Sequence, residues 1–196
     1  MSADTPASPP PPSPADDQAL AAARAAWHWR GGQRPPWADK PGSGQQSVWD
    51  FPRPPALVAE GRELVVRWGG VEVARTRGAV AVCETAHPPT YYLPLADVNA
   101  ALLQAAGGGS VCEWKGPARY WHLADGARRL QQVAWSYPQP LPGAEQLADK
   151  LAFYAHDLQC SVGGLPVTPQ AGAFYGGWIT ADLAGPFKGG PGSSGW

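Results

Sequence analysis

Proline and glycine interrupt this chain so often, 23 and 24 times in 196 residues, that long helices are disfavoured along most of it. Proline removes a backbone donor and fixes φ, and glycine opens turn conformations closed to other residues, so the pattern predicts many turns and short strands. Ten tryptophans add a large aromatic area that a core must absorb. The expectation is a mainly β fold of the α+β class, a compact single domain of antiparallel strands with two or three short helices. A single core commonly spans roughly 100–150 residues, which leaves tails here.

Residues 1–13 contain the polyproline run Pro9–Pro12 and too few apolar groups to offset the entropy of ordering, so they are expected to be disordered. Ser13 as N-cap and Pro14 at the first helical position predict a helix running toward Trp29 and stopped by Gly31, docked through Leu20, Trp27 and Trp29. That helix and a Gly/Pro linker make up residues 14–44, the β domain spans 45–160, and a Gly/Pro/aromatic extension over 161–196 wraps it. Leu64–Trp68 and Val71–Ala74 flank Gly69-Gly70, a two-residue hairpin signal that pairs Arg67 with Glu72 opposite an apolar face. A second hairpin is predicted around Asp125-Gly126. Asp97–Gln104 and residues 142–154 read as short helices, the latter from Leu147, Leu151 and Tyr154 at helical spacing.

The 15 basic and 16 acidic side chains nearly cancel and form no long run, which argues against nucleic acid or an anionic membrane as partner. Cys83, Cys112 and Cys160 lack Cys-x-x-Cys spacing, so no metal and no cofactor is expected, and the thiols read as small buried hydrophobes. An odd cysteine count without a secretory leader or membrane-spanning run points to the cytoplasm. An N-terminus rich in Ala, Ser and Pro leaves organelle import as the alternative, against Asp4, Asp16 and Asp17.

Candidate chemistry concentrates in Cys83–Pro94, where an acid, an imidazole and two phenols sit among three prolines that hold the backbone nearly fixed. Strict alternation from Val80 and Val82 aims Glu84 the same way, and a buried carboxylate there needs a cation, Arg53 or Lys115. His87 suits proton transfer, while Lys115, in a Gly/Pro-fixed turn, suits an ion pair with Glu84 or an anion. Tyr91 and Tyr92 point to opposite sides of an extended segment, so at most one lines a pocket. Tyr120, Trp121, Trp135 and Tyr137 are candidate walls, with Arg53 as a further ligand contact.

The ordered series Val48-Trp49-Asp50-Phe51-Pro52-Arg53-Pro54-Pro55, Glu84-Thr85, His87-Pro88-Pro89, Tyr91-Tyr92, Cys112–Gly116, Tyr120-Trp121 and Trp135-Ser136-Tyr137-Pro138 resembles the DUF427 family from about Gln45 onward. The ending from Phe174 to Gly192 resembles its longer form. The resemblance implies a β fold similar to the β-tent group, many of whose members hold zinc on paired cysteines that this chain lacks. It implies no settled activity, and a nucleotidyltransferase label finds no Gly-rich phosphate loop or carboxylate cluster in its support. Three functions follow from the residues. The first is an aromatic-walled pocket for a small polar, planar or cationic molecule. The second is an acid/base hydrolase or lyase using Glu84, His87 and Lys115. The third is a scaffold whose Trp-rich tail engages a partner or a second copy of the chain.

Overall fold

The Gly69-Gly70 turn is built as its sequence dictates: both glycines have positive φ, 53° and 85°, which a side chain would strain. It joins Leu64–Trp68 to Val71–Thr76, with Arg67 opposite Glu72 and a bulge after Val66. Gln159–Val162 and Leu165–Pro166 extend this hairpin into a four-stranded antiparallel sheet. The computed structural model describes residues 14–196, so the polyproline run and the Ser13 cap lie outside the described residues.

A second antiparallel sheet of seven strands runs in the order Ala56–Glu60, Ala79–Cys83, Thr90–Pro94, Lys150–Phe153, Arg128–Ser136, Gly116–Asp125 and Leu103–Cys112. Its two faces bury different sets. Leu64, Val66 and Trp68 of the four-stranded sheet pack with Tyr91, Leu93, Leu151 and Phe153 in the main core, which Trp178 of the C-terminal segment completes. Val80, Val82, Tyr92, Trp135, Tyr137 and Ala152 form a second cluster, as strand alternation requires of residues next to Tyr91, Leu151 and Phe153. A third cluster gathers Val48, Trp49, Phe51 and Ala86, with Trp196 packed against it.

Three helical expectations need correction. The N-terminal helix ends at Ala25, four residues short of Trp29; its Leu20 and Arg24 are half-buried, and Arg24 donates to Glu113 O at 2.7 Å. Near Asp97–Gln104 the chain makes two 3-10 turns, Leu95–Asp97 and Ala100–Leu102, and becomes a strand at Leu103. Gly107–Gly109 lies inside the strand Leu103–Cys112, whose register shifts there. The 142–154 segment makes a 3-10 turn at Glu145–Leu147 and then, past Asp149 at φ 55°, the strand Lys150–Phe153. Its residues pair with Thr90–Pro94 on one side and Arg128–Ser136 on the other. Pairing on both sides outweighs a weak helical periodicity. Pro14–Ala25 is thus the one α-helix among the described residues, and no helix there is long and apolar enough to cross a membrane.

Candidate functional site

The second cluster does not close on itself. Around Tyr92, Trp135 and Tyr137 lies a cavity of about 160 Å³, also bordered by Glu84, His87, Lys115, Tyr120 and Tyr154. Tyr92 and Trp135 stand on neighbouring walls, and the Trp135 indole N–H donates to the Tyr92 hydroxyl at 3.1 Å. Tyr154 lies tilted against Trp135 with ring centres 4.4 Å apart, and the Tyr120 hydroxyl meets Ser110 at 2.9 Å. Burial pushes the Tyr92 hydroxyl up to about 12, so at neutral pH it is an uncharged hydrogen-bonding group.

Glu84 follows Val80 and Val82 onto the cavity side and pairs with Arg53 at 2.9 Å, their side chains 13% and 0% exposed. All three Arg53 nitrogens are engaged. Besides Nε on Glu84, Nη1 and Nη2 donate to the carbonyls of Trp29 and Thr85, each at 2.9 Å, and the guanidinium carbon lies 4.1 Å from the Trp27 ring centre. The structure therefore places Arg53 behind the wall, holding Glu84 and tying down the N-terminal segment. Lys115, the other cation considered for Glu84, forms no salt bridge among the described residues and lies over the Tyr137 ring at 5.9 Å. Burial works against its charge, but Cys112, Tyr92 and Glu84 favour the ammonium and its pKa is raised.

His87 sits after Ala86, whose φ of 69° places a fully buried non-glycine residue in the left-handed region. That turn is held by Ala86 N–H donating to Val48 O at 3.1 Å and by Lys188 N–H donating to Ala86 O at 2.9 Å. The imidazole tautomer is fixed by Gln170, which is 1% exposed. Gln170 Oε1 accepts from Gly177 N–H at 2.9 Å, so Nε2 must be the donor, to Lys188 O at 2.8 Å and to His87 Nδ1 at 3.0 Å. Nδ1 is therefore a lone-pair acceptor and the ring proton resides on Nε2. Burial, with help from Arg53, Lys115 and Lys188, holds the His87 pKa well below its ordinary value.

This has a measurable consequence. An unfolded chain protonates its histidine near 6.5 while native His87 stays neutral, so below that pH the unfolded state binds the extra proton. Stability is expected to fall as pH drops from about 6.5 toward 5, by up to about 1.4 kcal/mol per unit for one proton. Urea unfolding of the wild type and His87→Gln at several pH values checks this, and equal slopes would rule it out.

The C-terminal segment closes one side. Gly176 and Gly177 are glycine because nothing larger fits: a Cβ would come within 2.1 Å of Trp135 at the first and 2.5 Å of Gln170 Oε1 at the second. The neighbouring Tyr175 ring meets His87 edge-on at 4.8 Å, and the Tyr154 hydroxyl donates to Phe174 O at 3.2 Å. On the opposite side the Trp27 indole donates to Glu113 at 2.8 Å.

Of the residues singled out from sequence, Glu84, His87, Lys115, Tyr92, Tyr120, Trp135 and Tyr137 border one cavity. Tyr91 and Trp121 do not. Tyr91 turns to the main core beside Trp178 and accepts from Arg62 at 3.2 Å, and Trp121 donates to Ser136 on the far side of its strand at 3.0 Å. Cys83 is half-buried outside the cavity and burial pushes its thiol up to about 11, whereas Cys112 borders the cavity and donates to Glu113 at 3.6 Å. Sequence reasoning missed Trp27, Glu113, Tyr154, Gln170 and Tyr175. For Tyr154 the signal was present but was assigned to a helix, and Gly176-Gly177 after two aromatic residues is the only local hint of close packing. No group of three His, Cys, Asp or Glu among the described residues is arranged to hold a metal.

Comparison with curated proteins finds no match. A family model described as a domain of unknown function, DUF427, matches residues 56–163, over half of the chain. The matched stretch contains Glu84, His87, Lys115 and most of the aromatic wall, while Arg53, Gln170 and Tyr175 lie outside it. With more than half of its length matched, and with both sheets built largely from that part, the chain belongs to the DUF427 family of domains of unknown function.

Proposed function

We propose that this protein binds a small planar polar molecule in the cavity beneath the Glu84–Tyr92 segment. The observation that carries the reading is the combination in one cavity of an aromatic wall with the charged Lys115 and the neutral, tautomer-fixed His87. Ligand sites pair apolar walls with a few placed polar groups, and the fixed imidazole is pre-organised rather than free to reorient. A cavity of about 160 Å³ holds about one ring, since an engineered cavity of about 150 Å³ accepts benzene. The tent-like arrangement implied by the family resemblance belongs to this reading, supported by the two antiparallel sheets that share one core.

Two contacts weigh against the hydrolase or lyase alternative. It needs a free base, yet Glu84 is engaged by a fully desolvated Arg53 and the basic nitrogen of His87 is occupied by Gln170. A tail offered to a partner is likewise less favoured, because Trp178 is fully buried and Trp196 packs on Trp49 at 5.3 Å.

A ligand-observed NMR screen of monocyclic planar metabolites tests the reading. At least one chemical class is expected to bind, and Tyr120→Ala, which trims a partly buried wall residue, is expected to weaken it about tenfold, or about 1.4 kcal/mol. Silence across the panel, or binding indifferent to both Tyr120→Ala and Tyr154→Ala, would sink it.

A further inference from the structure

The charged side chains bordering the cavity differ in how they are held. Glu84 is held by Arg53 at 2.9 Å. Glu113 accepts from the Trp27 indole at 2.8 Å and from the Cys112 thiol at 3.6 Å. Lys188, 2% exposed beside Gln170, donates to the carbonyls of Ser193, Ser194 and Trp196 at 2.8, 3.2 and 2.9 Å. Lys115 is the one lining cation and makes no salt bridge among the described residues, although Cys112, Tyr92 and Glu84 lie near enough to favour its ammonium. Glu84 is already neutralised by Arg53 from behind the wall, so Lys115 is the group left to meet an incoming charge. A half-buried ammonium with no carboxylate in salt-bridge contact gains a counter-charge when an anion enters the cavity. A second donor stands ready, because Gln170 occupies His87 Nδ1 and leaves Nε2–H without a partner among the described residues.

We infer that the occupant is a monoanion, a single planar ring bearing one carboxylate, with the carboxylate received by Lys115 Nζ and His87 Nε2–H and the ring lying against Trp135 and Tyr154. The inference rests on the pocket reading above and narrows it. Lys115 and His87 offer one cation and one neutral donor, which match the charge and the two oxygens of a carboxylate. A cationic guest, suggested by the aromatic residues in isolation, would face Lys115 directly. A dianionic phosphate monoester would bring a second negative charge beside Glu84 and Glu113. The cavity volume of about 160 Å³ limits the rest to about one ring.

The test uses benzoate, benzamide and benzamidinium, which share a ring and differ in charge. Each is titrated into the full chain at pH 7.5, with the Trp135 indole N–H and the His87 ring followed by NMR. Benzoate is expected to shift both signals and to bind at least tenfold more tightly than benzamide, with no saturable effect of benzamidinium. Lys115→Gln is expected to abolish the preference for benzoate over benzamide. The charge preference is read on the unsubstituted protein, so it is decided even if that variant does not fold. Equal or tighter binding of benzamide or benzamidinium overturns the monoanion inference and leaves the pocket reading standing. Binding of benzoate that moves neither Trp135 nor His87 overturns it as well, because the anion is then held elsewhere. If none of the three binds, the monoanion inference fails, and the pocket reading is decided separately by the wider panel of planar metabolites.

Discussion

Replacing Arg53 with methionine is expected to cost about 3–5 kcal/mol of folding stability, the loss associated with breaking a buried ion pair from one side. The guanidinium serves three acceptors in different directions, Glu84, Trp29 O and Thr85 O, and no flexible ammonium reproduces that planar fork. Methionine fills much of the volume but leaves Glu84, 13% exposed, without its counter-charge and two carbonyls without a donor. Most of the cost is therefore the stranded carboxylate, and Arg53→Met combined with Glu84→Gln is expected to be more stable than Arg53→Met by at least about 1 kcal/mol. Urea unfolding of the two variants and the wild type measures this. A loss below about 1 kcal/mol for Arg53→Met would mean that the pair is solvated and that Arg53 is free to serve a ligand.

The second large effect belongs to the tail. Trp178→Ala is expected to destabilise the whole domain by about 3–5 kcal/mol, the range for removing a large buried aromatic side chain. Trp178 is 0% exposed, its indole donates to Phe153 O at 2.9 Å, and its ring lies 5.5 Å from that of Tyr91 in the main core. Its backbone N–H also donates to Pro89 O at 2.9 Å, so the tail and the proline-framed segment are joined directly. A domain of this size has only about 5–15 kcal/mol in total, so either substitution is expected to lower the unfolding midpoint markedly. If Trp178→Ala released residues 170–196 to protease while the remainder kept its unfolding midpoint, the tail would be an appendage and the core would be complete without it.

These two residues also mark where sequence reading succeeded and where it stopped. The hairpin at Gly69-Gly70 was legible because a two-residue turn between alternating strands fixes its own register. The placing of Glu84 on the side of Val80 and Val82 was legible for a similar reason, as was the divergence of Tyr91 and Tyr92, since a period of two is a property of the extended backbone. The same logic failed at Lys150–Phe153. Leu147, Leu151 and Tyr154 fit a helical spacing, but the choice was made by ladders to strands about 15–60 residues away, which local periodicity does not record. Asn99–Leu102 failed similarly, since a capped single turn and the start of a longer helix look alike over four residues.

The sequence by itself determined that the chain is β-rich, that its family motifs cluster on one polar and aromatic segment, and that Glu84 would need a cation. It did not determine which cation. Arg53 and Lys115 were equal candidates on paper, and only the folded chain brings Arg53 to Glu84 across 31 residues and leaves Lys115 facing the cavity. The tautomer of His87 was decided from still farther away, by a glutamine 83 residues on that no motif distinguished. Alternation, turns and capping are written in neighbouring residues, because backbone geometry repeats over two to four positions. Charge pairing, hydrogen-bond direction and the closure of a cavity are set by whichever distant groups the finished core presses together, and for this protein that is where the site's chemistry lies.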